Sequence, residues 1–383
     1  WLVGASLGAF TQGFSIRLST AFGAGDRELF CRTAATSLLL ALVSGLLLCI
    51  ATELCAPLIL HAMQVQPEIW DYALIYLRTI YAGIPFLMLY HFFSGVLRSV
   101  GDSRAPLRAM LISSVLNIVL DIVLVAFLHR GIFGAAAATV FSQGISALYA
   151  GLCARKLIAP ADKAALRYDG ALTKPMLRFS ALMTVQVAVS AVGGLVTQAV
   201  VNTYPIPYIA GYTATNKLYG LLEFAAISYG YAITTYTGQN YGAGRLDRVK
   251  RSVWVTLAIG VIYTLCTGAA LLAGQDAILH LFTADEAVVT YGKLAMRWFC
   301  PFYFLRSILH GLAGAVRGTG ASIPPMVVLL VSLCLFRVVW IQFLLPFFSG
   351  IEGVFILYPV SWGLGALLMI LYAWKGKWLE YHT

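Results

Sequence analysis

The sequence predicts an all-α polytopic membrane protein, built as two six-helix lobes in a parallel pseudo-two-fold repeat. Three observations predict this fold class. Of the 383 residues, 60% are hydrophobic and 11% are charged, whereas about a quarter of the residues in soluble domains are charged. Long apolar segments exceed the roughly 20 residues that a helix needs to cross a bilayer. An internal repeat is visible at an offset of 219 residues.

The apolar segments predict eleven membrane helices. They are too long for the strands of a membrane barrel, which alternate in hydrophobicity over about 10 residues. Breaks fall at charged loops and at Pro205 and Pro207. The predicted helices are 1–22, 33–60, 69–99, 105–128, 132–154, 173–203, 206–241, 252–273, 286–318, 322–347 and 350–374.

Lys and Arg residues are concentrated in alternate loops, which accounts for the net charge of +10 without a nucleic-acid partner. The positive-inside rule then places these loops and the C-terminus in the cytoplasm, with residue 1 outside. We expect a multi-pass protein of the cell inner (plasma) membrane. The basic loops contain Arg27 and Arg32; Arg98, Arg104 and Arg108; Arg155, Lys156, Lys163, Arg167, Lys174 and Arg178; Arg245, Arg248, Lys250 and Arg251; Arg317; and Lys375 and Lys377.

The repeat is strongest in two pairs of segments. FGAGDRELFCR (22–32) matches YGAGRLDRVKR (241–251), and VLRSVGDSRAPL (96–107) matches AVRGTGASIPPM (315–326). At this offset, the counterpart of helix 173–203 would lie before residue 1. We therefore expect one further helix upstream and twelve helices in all. Two halves with the same orientation are one of the arrangements that secondary transporters use. The predicted domains are an N-terminal lobe (1–158), a cytoplasmic linker (159–172) and a C-terminal lobe (173–383).

Several strings, in this order, resemble the multidrug and toxic compound extrusion (MATE) transporters, and most of all their bacterial branch. They are GAGD, LRSVGDSRAPL, NIVLD followed by GIFGAAAATVFSQ, TGQNYGAG and YPVSW. The resemblance implies helices 2–6 and 7–12 of that fold and a monomer in the lipid bilayer. It also implies an antiporter, not an enzyme, that exports amphipathic or cationic small molecules. Alternating access between the two lobes would be driven by H⁺ or Na⁺, with no cofactor.

Asn117 and Asp121 lie four residues apart in a very apolar stretch, so they share one helix face. An ionised carboxylate in hydrocarbon costs several kcal/mol, so it should face a partner or carry a proton. The family resemblance implies that Asn117, Asp121 and Thr139 belong to a cation-binding site. The alternative is that Asn117 and Asp121 only bond neighbouring helices. At the repeat offset the pair is replaced by Phe336 and Trp340.

Glu223 is the other acid deep in a predicted span, and it is a candidate for binding substrate or a proton. The alternative is an ion pair with a Lys or Arg within the membrane, such as Lys217 or Arg337. Whether Glu223, Arg306 and Arg337 face a cavity stays open at this stage.

Other readings of the sequence are weaker. The seven cysteines show no Cys/His spacing typical of a metal site, and GASLG (4–8) lacks the strand that a nucleophile elbow requires. A lipid-linked oligosaccharide flippase or exporter of the same superfamily is the second hypothesis, since it would use cavity arginines to bind phosphate.

Pro85 and Pro301 should bend their helices, but their positions differ by three residues from the repeat offset.

Overall fold

The computed structural model describes residues 2–158 and 166–380, and within these ranges every regular element is a helix. The predicted linker 159–172 therefore falls partly outside the described residues. The first seven α-helices are α1 (Leu2–Gly23), α2 (Arg27–Ala62), α3 (Pro67–Ala82), α4 (Ile84–Ser99), α5 (Arg104–Asp121), α6 (Gly131–Ile158) and α7 (Gly170–Val201). The remaining α-helices are α8 (Ile206–Gly242), α9 (Leu246–Ala273), α10 (Gln275–His280), α11 (Glu286–Phe299), α12 (Tyr303–Gly318), α13 (Ile323–Leu330), α14 (Phe336–Val339) and α15 (Glu352–Trp374).

All eleven predicted helical segments coincide with helices in the described chain. By length and composition, eight of the helices described there could cross a membrane, or nine if the bent pair α11 and α12 forms one span. Helices α1 and α8 are not among them. The Gly, Ser and Thr residues of both helices, together with the Tyr residues of α8, make them less apolar, although α8 is 37 residues long. Composition alone thus supports fewer spans than the eleven predicted.

The chain separates into two compact units, Val3–Ala181 (the N-terminal unit) and Leu182–Thr383 (the C-terminal unit). The division falls inside α7, after the predicted linker. The first part of α7 packs on α1, since Ser180 Oγ donates to the Phe10 carbonyl at 2.7 Å. A Cβ on Gly13 would lie 2.5 Å from the Ser180 nitrogen, so this close approach requires glycine. The domain limits 1–158 and 173–383 stay a prediction.

The repeat is visible in the backbone of the two units. Helices α4 and α12 begin at residues 84 and 303 and end at 99 and 318, both at the offset of 219. Gly101 and Gly320 follow them, each with φ +91°. Only glycine adopts this conformation readily. The helix breaks at Gly83 and before Tyr303 are therefore equivalent, but α11 and α12 are bent by 46° while Pro67–Ser99 counts as one span.

Each unit has its own apolar core. Phe14, Phe92 and Leu97 are almost fully buried in the N-terminal unit, and Trp362 and Phe355 are fully buried in the C-terminal unit. Many other large apolar side chains are exposed, above all along α2 and α5. Exposed apolar helix faces of this extent are typical of contact with lipid.

Candidate functional site

The predicted cation site lies where α5 changes its helical geometry. The α-helix ends at Asp121 and continues as a π-helix over Ile122–Phe127. Short π-helical turns are often found at functional sites. Asn117 Nδ2 approaches Thr139 Oγ1 on α6 at 3.4 Å, and Thr139 Oγ1 donates to the Ala135 carbonyl at 3.1 Å. Two of the three predicted residues are therefore in contact.

Asp121 has an unusual environment for a carboxylate. Its Oδ1 is buried, and within residues 2–158 and 166–380 no hydrogen-bond donor reaches it. The side chain as a whole is only partly buried. A buried oxygen without a donor is costly, and a proton or a metal cation would satisfy it. No cluster of three or more His, Cys, Asp or Glu side chains that could hold a metal occurs in the described chain.

The equivalent place in the C-terminal unit is aromatic. At the offset of 219, Asn117, Asp121 and Thr139 correspond to Phe336, Trp340 and Tyr358, respectively. The Phe336 and Trp340 rings lie 5.9 Å apart, and Trp340 Nε1 donates to the Gly353 carbonyl at 3.0 Å. The amide oxygen of Asn117 and the carboxylate of Asp121 therefore have no copy at these positions, and the Thr139 hydroxyl is replaced by that of Tyr358.

Glu223 on α8 is the centre of a polar cluster inside the C-terminal unit. Arg306 on α12 makes a bidentate ion pair with it, through Nε to Oε2 at 2.8 Å and through Nη2 to Oε1. The hydroxyls of Tyr303 and Tyr219 donate to the same Oε2 at 3.0 and 3.2 Å. His310 Nε2 lies 3.7 Å from Oε1. Both carboxylate oxygens of Glu223 are thus occupied by donors.

Glu223 forms its ion pair with Arg306 and not with Lys217 or Arg337, the two examples of a partner that the sequence suggested. Lys217 is exposed, with its ammonium 6.0 Å from the Phe282 ring. Arg337 is buried, and its guanidinium lies 4.6 Å from the centre of the Tyr358 ring. Register along a single helix cannot identify a partner on another helix, and Arg306 is the residue that α12 brings opposite Glu223.

The N-terminal unit has an apolar contact where the C-terminal unit has this ion pair. At the repeat offset, Glu223 corresponds to Gly4 and Arg306 to Leu87. A Cβ on Gly4 would lie 3.8 Å from Leu87 Cδ2, so these two positions are also neighbours. The same scaffold therefore supports an apolar pair in one unit and a charged pair in the other.

The Glu223 cluster has more donors than acceptors. Arg306 Nη1, His310 Nε2 and Trp362 Nε1 are buried without a hydrogen-bond partner in the part of the chain that the structure describes. The Trp362 ring stacks on Tyr219 at 5.7 Å. Arg337 is also buried nearby, and the contacts it makes are with the Tyr358 ring and, at 3.4 Å, with the Ser361 hydroxyl. Two guanidinium groups, those of Arg306 and Arg337, thus lie near the one carboxylate of Glu223.

Sequence reasoning missed this cluster, although a signal was present. Tyr303, Arg306 and His310 are spaced by three and four residues, which places them on one face of a helix. Tyr219 and Glu223 show the same spacing on α8. Two helices that each carry a polar face of this kind are candidates to pack on each other.

A charge cluster outside the long spans links α10 to α11. His280 Nδ1 approaches the Asp276 carbonyl at 2.8 Å, and Nε2 approaches Glu286 Oε1 at 3.3 Å. Because both ring nitrogens face acceptors, the hydrogen bonds to Asp276 and Glu286 raise the pKa of His280. Lys293 hydrogen-bonds Asp276 and lowers the pKa of that carboxyl group.

Comparison with known proteins agrees with this architecture. The MatE family model matches residues 1–123 and 183–341. The Probable multidrug resistance protein NorM of Thermotoga maritima is 25% identical over 99% of this chain and 83% of its own length. The Probable multidrug resistance protein YpnP of Bacillus subtilis is 27% identical over 84% of this chain and 72% of its own length.

A solved structure shows the same fold. It is a MOP superfamily transporter from Pyrococcus furiosus, described as having a binding pocket of reverse polarity. The TM-score is 0.90 at 20% identity, over 100% of this chain and 86% of that one. The chain belongs to the MatE family. It is therefore an all-α polytopic membrane protein that acts as a transporter and not as an enzyme.

Proposed function

We propose that this MATE transporter is an antiporter that exports amphipathic or cationic organic compounds in exchange for H⁺ or Na⁺. The names of the NorM and YpnP relatives support multidrug export. The observation that carries the coupling proposal is the buried Asp121 Oδ1, one turn from Asn117, which has no hydrogen-bond donor among residues 2–158 and 166–380. Alternating access of the two units is the motion that the proposal requires.

The coupling ion would bind on α5 and α6. If Asn117 donates through Nδ2 to Thr139, its Oδ1 is available as a ligand beside the Asp121 carboxylate. Carboxylate and amide oxygens are hard donors of the kind that sodium accepts, and a proton needs only the carboxylate. In either case the negative charge of Asp121 is neutralised while the ion is bound and restored when it leaves.

Glu223 is assigned a different role from that of Asp121. Arg306 and two tyrosine hydroxyls occupy its carboxylate oxygens, so in this state it is not free to bind a cation. Glu223 would bind a proton or a cationic substrate only when Arg306 moves away. We therefore assign coupling to Asp121 and treat Glu223 as a second, conditional site.

We propose a location in the cell inner (plasma) membrane, with the basic loops and the C-terminus in the cytoplasm. The positive-inside rule supports this orientation. Arg27, Arg104 and Arg155 are exposed at helix ends, on the face expected to be cytoplasmic. We also propose that the protein acts as a monomer.

Export from vesicles tests the proposal. Ethidium, a cationic dye, and a sulfonated dye of similar size would be loaded separately, and export would be driven by a pH gradient and then by a sodium gradient. Export of ethidium under at least one gradient, with the sulfonated dye retained, is the expected result. Preferential export of the sulfonated dye would contradict it.

A second function, export of a lipid-linked oligosaccharide, is favoured by one observation. The C-terminal unit buries Arg306, Arg317 and Arg337, and Arg337 makes its described contacts with a ring and a hydroxyl instead of a carboxylate. Arginine is well suited to bind phosphate. This function predicts flipping of a phosphate-linked lipid that depends on Arg337, with no gradient-driven export of ethidium.

A further inference from the structure

A cavity in the N-terminal unit lies apart from Asn117, Asp121 and Thr139, the residues of the proposed coupling site. It has a volume of about 260 Å³ and lies where the ends of α1, α4 and α6 meet the start of α2. Phe22, Phe30, Val100 and Leu157 provide most of its apolar wall. Asp26 and Arg27 lie at the same cavity and are exposed.

The charges at this cavity form a specific pattern. Asp26 caps α2, with Oδ1 accepting from the Leu29 nitrogen at 2.8 Å, and this bond leaves Oδ2 available. Glu28, the nearest other carboxylate on the helix, is paired with Arg32. No ion pair of Arg27 is found in the described chain. The cavity therefore presents one carboxylate and one guanidinium side by side, next to an apolar wall.

We propose that this cavity binds a phosphatidylethanolamine-type lipid. The phosphate would pair with Arg27, the primary ammonium would donate to Asp26, and part of an acyl chain would contact Phe22 and Leu157. The inference is independent of the transported substrate, because none of these residues belongs to the coupling site.

Charge complementarity favours this head group over others. Phosphatidylglycerol carries no ammonium and would leave Asp26 unpaired beside a phosphate. Phosphatidylcholine has a quaternary ammonium, which cannot donate a hydrogen bond to a carboxylate. In the C-terminal unit the repeat positions of Asp26 and Arg27 are Arg245 and Leu246, so the paired charges are not duplicated.

Native mass spectrometry tests the proposal with the whole chain. The protein would be extracted from vesicles of equimolar phosphatidylethanolamine, phosphatidylcholine and phosphatidylglycerol, and the lipid retained would be identified. We expect selective retention of phosphatidylethanolamine, reduced about two- to fivefold by Asp26→Asn or Arg27→Ala, as for other exposed ion pairs. Asp247→Asn removes an exposed carboxylate from the equivalent loop of the other unit and should change nothing.

Further variants separate the contributions of charge and shape. Arg27→Lys should keep retention, because lysine also binds phosphate, and Leu157→Trp should reduce it by filling the cavity. A thermal unfolding profile equal to that of the wild type would show that each variant is folded. Equal retention of all three lipids, preference for phosphatidylglycerol, no retained lipid, or retention insensitive to both Asp26→Asn and Arg27→Ala would overturn the proposal.

Discussion

Replacing Arg306 by leucine should strongly destabilise the C-terminal unit. The guanidinium is buried, its side chain being 6% exposed, and it is the ion-pair partner of Glu223, whose side chain is 18% exposed. Removing one partner of a buried ion pair costs about 3–5 kcal/mol, because the other charge is left uncompensated. The hydroxyls of Tyr303 and Tyr219 remain as donors, so we expect the lower part of that range.

The double variant Glu223→Ala/Arg306→Leu should recover much of this loss. It places an alanine and a leucine where the N-terminal unit has Gly4 and Leu87. Replacing a buried ion pair by apolar residues is often neutral or stabilising. We expect the double variant to be at least about 2 kcal/mol more stable than Arg306→Leu.

Reversible unfolding in mixed micelles would measure these differences. Arg337→Leu serves as the matched control, since Arg337 is equally buried but stacks on Tyr358 and leaves no carboxylate behind. Arg337→Leu should lower the free energy of unfolding less than Arg306→Leu does. The single variant Glu223→Ala completes the comparison. If the double variant lost as much free energy of unfolding as the two single variants together, Glu223 and Arg306 would not be energetically coupled and the predicted recovery would be wrong.

Three other changes have expected outcomes. Asn117→Ala should weaken activation by sodium more than by protons, because a proton needs no coordination shell; equal loss in dye export under both gradients would count against an ion ligand. The pKa of His280 is raised in the folded protein, so protonated His280 stabilises the fold at pH values below its unfolded pKa of about 6.5, and this stabilisation is lost as pH rises through the folded pKa. His280→Gln should therefore make the thermal stability depend less on pH between about pH 6 and 8. An unchanged dependence of thermal stability on pH would contradict the ion pair with Glu286. Gly320→Ala should cost about 1–2 kcal/mol at its φ of +91°, whereas Gly194→Ala, in open space on a helix, should be neutral or stabilising in the same unfolding assay.

The helices were predictable because membrane spans need long apolar runs, and those runs are readable residue by residue. The residues at which the helices begin were less predictable. Helix α2 begins at Arg27 and not at residue 33, since Asp26 caps a charged first turn. Hydropathy does not register such a turn. Helix α9 likewise begins at Leu246, six residues before its predicted start.

The repeat allowed more of the fold to be predicted than hydropathy alone. It identified Gly101 and Gly320 as equivalent, and both have the same positive φ. The partner of Glu223 could not be predicted, because it depends on which face α12 turns toward α8. The contact between Asn117 and Thr139 was reached by family resemblance, while the unpartnered oxygen of Asp121 became visible only in three dimensions.

The central claim is that the charge of Asp121 couples export to an ion gradient. The direct measurement is gradient-driven dye export from vesicles with Asp121→Asn, compared with Asp71→Asn, which neutralises an exposed carboxylate of the same unit. We expect Asp121→Asn to abolish export driven by both sodium and pH gradients while the protein stays folded, and Asp71→Asn to export like the wild type. Export by Asp121→Asn at the wild-type rate under either gradient would contradict it.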